Sequence, residues 1–394
     1  MLRRISTTPP RGEWREENMK AGIISINKYS KHLNYGAALH SYAFQHYLDK
    51  HGIDNVIIDY MPRFMKRYSM KYPVISTQPK EQLRRSLFWL VCFFPNIIKY
   101  NKFMKFFKNH YRTTKIQYDE ALLSNALLDF DTVICESDVI WSPHSTQGFD
   151  NGFFCNLPSM KGKNKISYAA CIGYTKFSEK RQARFRELLR NFDAISVREI
   201  QGTEFTQQFT DKKVYNVLDP TLLLDAQDYE DIISPPKEQG YVLVYNCLKN
   251  NKKMVLDAKK TAKELGLKVI EISVYYYNFY LDKVKTTIGI EEFLGYFQNA
   301  SYVFTNAFHG VCFSLIFKKD FYTYARGTKD SRVTSILHLL ELDEKFLQND
   351  EELPAITSID YEKVYEHLNR ERKTSQDFLF QALHLKTDGE NTVS

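Results

Sequence analysis

A histidine set between a short apolar strand and an apolar helix is the first feature that could do chemistry. Residues 300–314 read Ala-Ser-Tyr-Val-Phe-Thr-Asn-Ala-Phe-His-Gly-Val-Cys-Phe-Ser. Tyr302 to Phe304 is short, β-prone and apolar, the pattern of a buried strand. Val311 to Phe317 continues apolar into an expected helix. Thr305 and Asn306 are residue types that cap helices, and Gly310 permits close approach of a backbone or a ligand. His309 is therefore expected near free N–H groups at a helix start, a ready place for an anion. It also falls at a strand end, where open α/β sheets bind ligands. A structural reading competes with this one: a histidine capping a helix and satisfied by a neighbouring carbonyl. Asn34-Tyr35-Gly36 occupies the equivalent place between the first strand and the first helix. There a plain helix cap is the alternative, and one glycine falls well short of a dinucleotide fingerprint. No His, Cys, Asp and Glu cluster has metal-ligand spacing, so neither a metal nor another cofactor is expected.

These residues need a scaffold, and the length of 394 residues suggests two domains, each with its own core. Apolar strands alternate with helical patterns from Ala21 onward. Ala21 to Ile26, the helix through Leu39, Tyr42, Ala43 and Leu48, and Val56 to Tyr60 form a β–loop–α–β unit. Strands follow at Thr132 to Cys135, Lys165 to Cys171 and Ala194 to Val197. Pro235-Pro236 in a polar stretch marks a linker. The alternation then repeats through Tyr241 to Tyr245, a helix at Lys252 to Leu265, Leu267 to Ile272, the aromatic loop Tyr275 to Tyr277, a helix at Ile290 to Asn299 and the His309 stretch. A long helix is expected over Tyr361 to Leu383. The expected layout is an α/β fold of two Rossmann-like domains facing a cleft. An N-terminal domain, expected to take the acceptor, spans 19–232, and a second, expected to take the donor, spans 238–345. A helix over 358–385 crosses back, and the tail 386–394 is loose. Residues 1–18 carry no apolar signal-peptide core and are expected to be a disordered or non-native extension, with Met19 as the natural start.

The formal charge of +7 is unevenly spread. Arg63 to Lys115 holds thirteen Lys and Arg against one acid, Glu81, a local net charge of +12, while aromatics interleave. Leu87 to Phe94 is too short to cross a bilayer but could lie on one. The segment 63–115 is expected to be a helical excursion with a solvated basic face; the sharper reading is docking to anionic lipid or a lipid-linked phosphate. Nucleic acid is not expected, since no binding motif accompanies the charge. The six cysteines are scattered without CxxC pairs, as buried thiols of a reducing compartment would be. The expected location is cytoplasmic, with peripheral contact at the inner face of the membrane as the extension. Oligomeric state is not legible.

Several marks taken together resemble the polysaccharide pyruvyl transferase family. They are Asn34 to Ala37, Ile57 to Tyr60, Glu136-Ser137-Asp138 with Trp141, Tyr168 to Ala170, Val197-Arg198-Glu199, Leu218 to Thr221, Thr305 to Ser314 and Asp330-Ser331-Arg332. The resemblance implies a GT-B-like fold and transfer of pyruvyl from phosphoenolpyruvate to a sugar of a surface polysaccharide or its lipid-linked precursor, giving a cyclic ketal and phosphate. The chain departs from the family pattern in having Glu136 for Gly, Cys171 for Ser, and Ala307 in place of an arginine two residues before the motif histidine. A donor with a carboxylate and a phosphate needs fixed cations or N–H donors. Arg198, His309, Gly310 and Arg332 are the expected donor contacts, and Arg326 is the expected substitute for the missing arginine. Surface ion pairing is the alternative for each arginine. His309 and Asp138 are the expected catalytic pair, and a helix cap is the alternative for Asp138. Asn34, Tyr35, Gly36, Ser137 and His144 are expected toward the acceptor. Two other classes stay open: a GT-B glycosyltransferase using a nucleotide sugar, and a non-catalytic sugar-binding or scaffold protein.

Overall fold

Strand β1 (Lys20–Ile24) starts the first sheet and leads into α1 (Tyr35–Lys50), capped by the Asn34 side chain on the Gly36 amide. The computed structural model describes residues 19–29, 33–65, 78–246, 251–273, 281, 283–327 and 330–385. The expectations for 1–18, for Tyr275 to Tyr277 and for 386–394 lie outside them. After β2 (Asp54–Ile57) the chain leaves the sheet for a 32-residue helix, α2 (Pro79–His110), and the short α3 (Glu120–Ser124). It returns as β3 (Thr132–Glu136), β4 (Asn164–Ala170), α4 (Glu179–Leu189), β5 (Ala194–Val197), α5 (Ile200–Gln207) and β6 (Val214–Asn216). All pairings are parallel, in the order β2-β1-β3-β4-β5-β6.

The second sheet begins with β7 (Tyr241–Asn246), α6 (Lys252–Glu264), β8 (Lys268–Ser273) and β9 (Val284–Lys285). It continues through α7 (Ile290–Asn299), β10 (Tyr302–Thr305), α8 (Phe308–Ile316), β11 (Phe321–Tyr324), α9 (Ser331–Leu339) and β12 (Phe346–Leu347). Its order is β12-β11-β10-β7-β8-β9, again parallel. Parallel strands covered on both faces read as near-continuous apolar runs, and β7 and β10 are buried at every position. Both sheets reverse direction beside their first strand, between β1 and β3 and between β7 and β10. Such switch points are where open α/β sheets take ligands, outside the carboxyl ends of the strands. The architecture is two Rossmann-like α/β units.

The units meet on α1, which is buried almost all round instead of along one stripe. Tyr35, at its start, stacks on Phe293 of α7 with ring centroids 4.5 Å apart and tilts against Phe103 of α2. The last helix, α10 (Tyr361–Ala382), bridges the units. Its Tyr361 and Tyr365 hydroxyls donate to carbonyls at the end of α8 and just beyond it. Further along, Ser375 Oγ accepts from Leu218 N–H, and Arg372 donates to the Leu222 and Leu224 carbonyls.

Candidate functional site

The carboxyl ends of β3, β5 and β6 deliver Ser137 and Asp138, Arg198, and Asp219 to one spot, and α8 brings His309 to it from the other unit. Arg198 directly follows β5 and is 4% exposed. Its Nη1 pairs with Asp219 Oδ2 and donates to Ser137 Oγ at 3.3 Å, while Nη2 lies 4.0 Å from Asp138 Oδ1. Asp219 also accepts from Ser137 Oγ at 3.0 Å and from the Thr221 hydroxyl at 2.7 Å. Burial pushes the Asp219 carboxyl up, but Arg198 and the imidazoles of His309 and His40 hold it well below the usual carboxylate range. Asp138 behaves likewise: burial opposes ionisation, and His40, Arg198, Arg332 and His309 outweigh it.

Ser137 and Asp138 occupy the left-handed region, with φ of 45° and 50°. Non-glycine residues there cost about 1–3 kcal/mol each and persist only where the surroundings impose them. Here the Ser137 amide donates to Tyr168 C=O and the Cys171 amide to Asp138 C=O, which lock the turn. The turn aims both side chains at Arg198.

His309 is 7% exposed, and its Nε2 stands 3.7 Å from Asp219 Oδ2, too far for a hydrogen bond. Burial lowers its pKa to about 3; Asp219 raises it, while the positive charges of Arg198 and His40 lower it. Its ring lies nearly parallel to that of His40, centroids 6.2 Å apart. His40 is fully buried in α1, with Nδ1 2.7 Å from Glu136 Oε1. Burial lowers its pKa, but the charge and hydrogen bond of Glu136 outweigh that and raise it. His40 therefore favours imidazolium and His309 neutral imidazole. Side by side, four buried nitrogens make no hydrogen bond to a described residue: Arg198 Nε and Nη2, His40 Nε2 and His309 Nε2. A buried guanidinium with unmet donors strongly favours an anion. Phe308 backs the site, with the guanidinium carbons of Arg198 and Arg332 at 4.6 and 6.0 Å from its ring centre.

The structure thus brings His309, Arg198, Asp138 and Ser137 together, with Arg332 alongside, and redirects several other expectations. Thr305 and Asn306 do not cap α8: the cap residue is Ala307, and Thr305 Oγ1 accepts from the Ala307 amide. Gly310 does not open space for a ligand; a Cβ there would sit 2.1 Å from Thr305 Oγ1, so its missing side chain accommodates the strand end. Gly36 makes room for the catalytic candidate itself, since a Cβ would fall 2.0 Å from His309 Nδ1. Tyr35 does not face an acceptor: its ring is buried in the contact between units and its hydroxyl donates to Ile288 C=O. Asn34 is spent as the α1 cap. His144 is exposed on the loop after β3. Arg326 turns its backbone amide to Asp330, which burial pushes up in pKa against the pull of Arg326 and Arg332. Reading by motif missed His40, because it sits mid-helix between Leu39 and Ser41 with no flanking signal. The clue was Glu136, a carboxylate in an apolar strand that requires a buried partner. Cys171, the second departure, donates its thiol to Glu199 Oε1 at 2.6 Å. Among the described residues no cluster could hold a metal ion.

A family model for polysaccharide pyruvyl transferase matches residues 34–327, a span carrying every side chain of this cluster except Arg332. The chain belongs to the polysaccharide pyruvyl transferase family. No curated protein matches the sequence. Similar solved structures include UDP-GlcNAc 2-epimerase of Methanocaldococcus jannaschii, at 11% identity over 93% of this chain and 100% of that one, TM-score 0.47. The MurG of Acinetobacter baumannii has 10% identity over 93% and 100%, TM-score 0.39. Escherichia coli heptosyltransferase WaaC with ADP has 11% identity over 90% and 100%, TM-score 0.38. The two-unit fold of this pyruvyl transferase family member rests on its own sheet order.

Proposed function

We propose that this pyruvyl transferase family member moves the pyruvyl group of phosphoenolpyruvate onto two hydroxyls of a sugar, releasing phosphate. The sugar belongs to a surface polysaccharide or its lipid-linked precursor, met at the inner face of the membrane. The observation that carries the reading is the buried Arg198, with Nε and Nη2 unmatched beside two imidazoles from different elements. A guanidinium fork grips a carboxylate or a phosphate in bidentate fashion. Arg198 and His309 hold the donor, with Arg332 at the edge. No other cofactor enters this scheme.

The enol C3 takes a proton and C2 gains oxocarbenium character. A sugar hydroxyl then bonds to C2 and gives up its proton. The C2–O bond to phosphate breaks, and a second hydroxyl closes the ketal as its proton leaves. Of the two hydroxyl protons, one balances the proton added at C3 and one leaves with phosphate. His40, biased to imidazolium by Glu136, is the proton donor; ionised Asp138 is the acceptor for the sugar hydroxyl. Arg198 and the neutral His309 offer hydrogen bonds to the charge of the leaving phosphate.

Incubation with phosphoenolpyruvate and a panel of lipid-linked galactosides and mannosides tests this. The expected product carries an added pyruvyl unit by mass spectrometry, with stoichiometric phosphate release. Absence of phosphate release, with stabilisation by a nucleoside diphosphate instead, would move the assignment to a nucleotide-sugar glycosyltransferase.

A further inference from the structure

Helix α2 carries an apolar stripe that the rest of the described chain leaves uncovered. Leu83, Leu87, Leu90, Phe94 and Ile98 are 64, 56, 63, 73 and 48% exposed. Their spacing puts them on one narrow face. The same face continues into exposed lysines, Lys80 one turn before Leu83, and Lys105 and Lys108 after Ile98. The side that packs on the protein, through Phe103, Phe106 and Phe107, lies about half a turn round the helix. From Leu83 to Ile98 the stripe runs roughly 22 Å at 1.5 Å per residue. Such a patch marks an interaction surface.

We propose that this face of α2 docks on an anionic lipid bilayer, the apolar stripe entering the headgroup boundary and the flanking lysines meeting acidic headgroups. The charge selects this occupant. The segment 63–115 carries a local net charge of +12; with Lys99 buried, Lys102 paired to Glu292 and Arg112 to Asp49, the remaining excess of positive charge still repels a second copy of itself and attracts an acidic surface. Exposed leucines and a phenylalanine in line suit acyl chains and not a phosphate backbone. No helix among the described residues is long and apolar enough to cross a membrane, so the contact is in the plane of the surface. The inference extends the reading of a lipid-linked acceptor, but its test does not depend on the chemistry at Arg198.

The test is co-sedimentation of the full chain with vesicles of pure phosphatidylcholine or with added phosphatidylglycerol. Binding is expected only with phosphatidylglycerol, weakening as salt rises. Leu87→Glu/Leu90→Glu/Phe94→Glu is expected to cut the bound fraction at least tenfold. Leu127→Glu, at a fully exposed leucine off the helix, is expected to bind as wild type. All changed positions are exposed, so melting temperature and phosphoenolpyruvate binding should stay put. Equal binding to both vesicle types, or a triple variant that binds like wild type, overturns the proposal. So does a wild-type dimer in sedimentation velocity that the triple variant abolishes, which would give the stripe to a second copy.

Discussion

Two near-parallel imidazoles are tuned in opposite directions, one by a carboxylate and the other by burial. Glu136 raises the pKa of His40, while burial beside Arg198 lowers that of His309 to about 3. The sign of each contribution to stability follows. The unfolded His309 binds a proton below about 6.5 and the folded one does not until about 3, so its contribution is complete above 6.5 and declines as pH falls below it. His40 works the other way, stabilising below about 6.5 and losing that benefit as pH rises through its raised folded pKa. Between pH 7 and pH 5, His309 should therefore cost about 2 kcal/mol, and the urea midpoint of His309→Gln should drop less than that of wild type. An equal drop in both proteins would mean His309 is not buried as a neutral ring. Arg198→Lys keeps a positive charge but not the fork; the lost charge-assisted bond, worth about 2 kcal/mol, predicts roughly 30-fold weaker donor binding. Near-wild-type binding in that variant would exclude the guanidinium as the anion grip. At this scale the sequence pointed to His309 through its strand–loop–helix setting and to Arg198 through the family resemblance. His40 was illegible because its meaning comes from Glu136, 96 residues away.

Elements were the most legible layer, since buried parallel strands and amphipathic helices announce themselves by period. The expected helix at Ile290 to Asn299 and strand at Tyr302 to Phe304 correspond to α7 and β10. What period does not reveal is how two elements touch. Gly36 read as a cap or an acceptor contact, yet it is the flat place where α1 meets the His309 ring. Gly36→Ala should cost about 1–3 kcal/mol by overpacking and displace His309. Transfer activity should fall by at least about 100-fold, because a misplacement of about 1 Å can have that effect. Thermal melts and steady-state rates check both; a fully active Gly36→Ala enzyme would contradict the contact. Tyr35 follows the same logic: a polar aromatic at a ligand-side loop is also what a contact between units uses, and its ring packs there on Phe293.

At the scale of the whole molecule, the site is complete only when both units are in place. Asp219 and Arg198 come from the first sheet and His309 from the second, and α10 ties the two by Tyr361 at one end and Arg372 and Ser375 at the other. Arg372→Ala removes the bonds to Leu222 and Leu224 and the ion pair to Asp225. It should lower stability by about 1–3 kcal/mol and loosen donor binding without touching the donor. Unchanged melting and unchanged affinity would show that α10 is not a tie. The anion grip unites both units, and calorimetric titration of phosphoenolpyruvate into wild type, Arg198→Lys and His309→Gln reads it directly. Saturable one-site binding in wild type, at least about 30-fold weaker in the arginine variant and clearly weaker in the histidine variant, is the predicted result. Phosphoenolpyruvate that fails to bind wild type, or binds all three proteins alike, would contradict it.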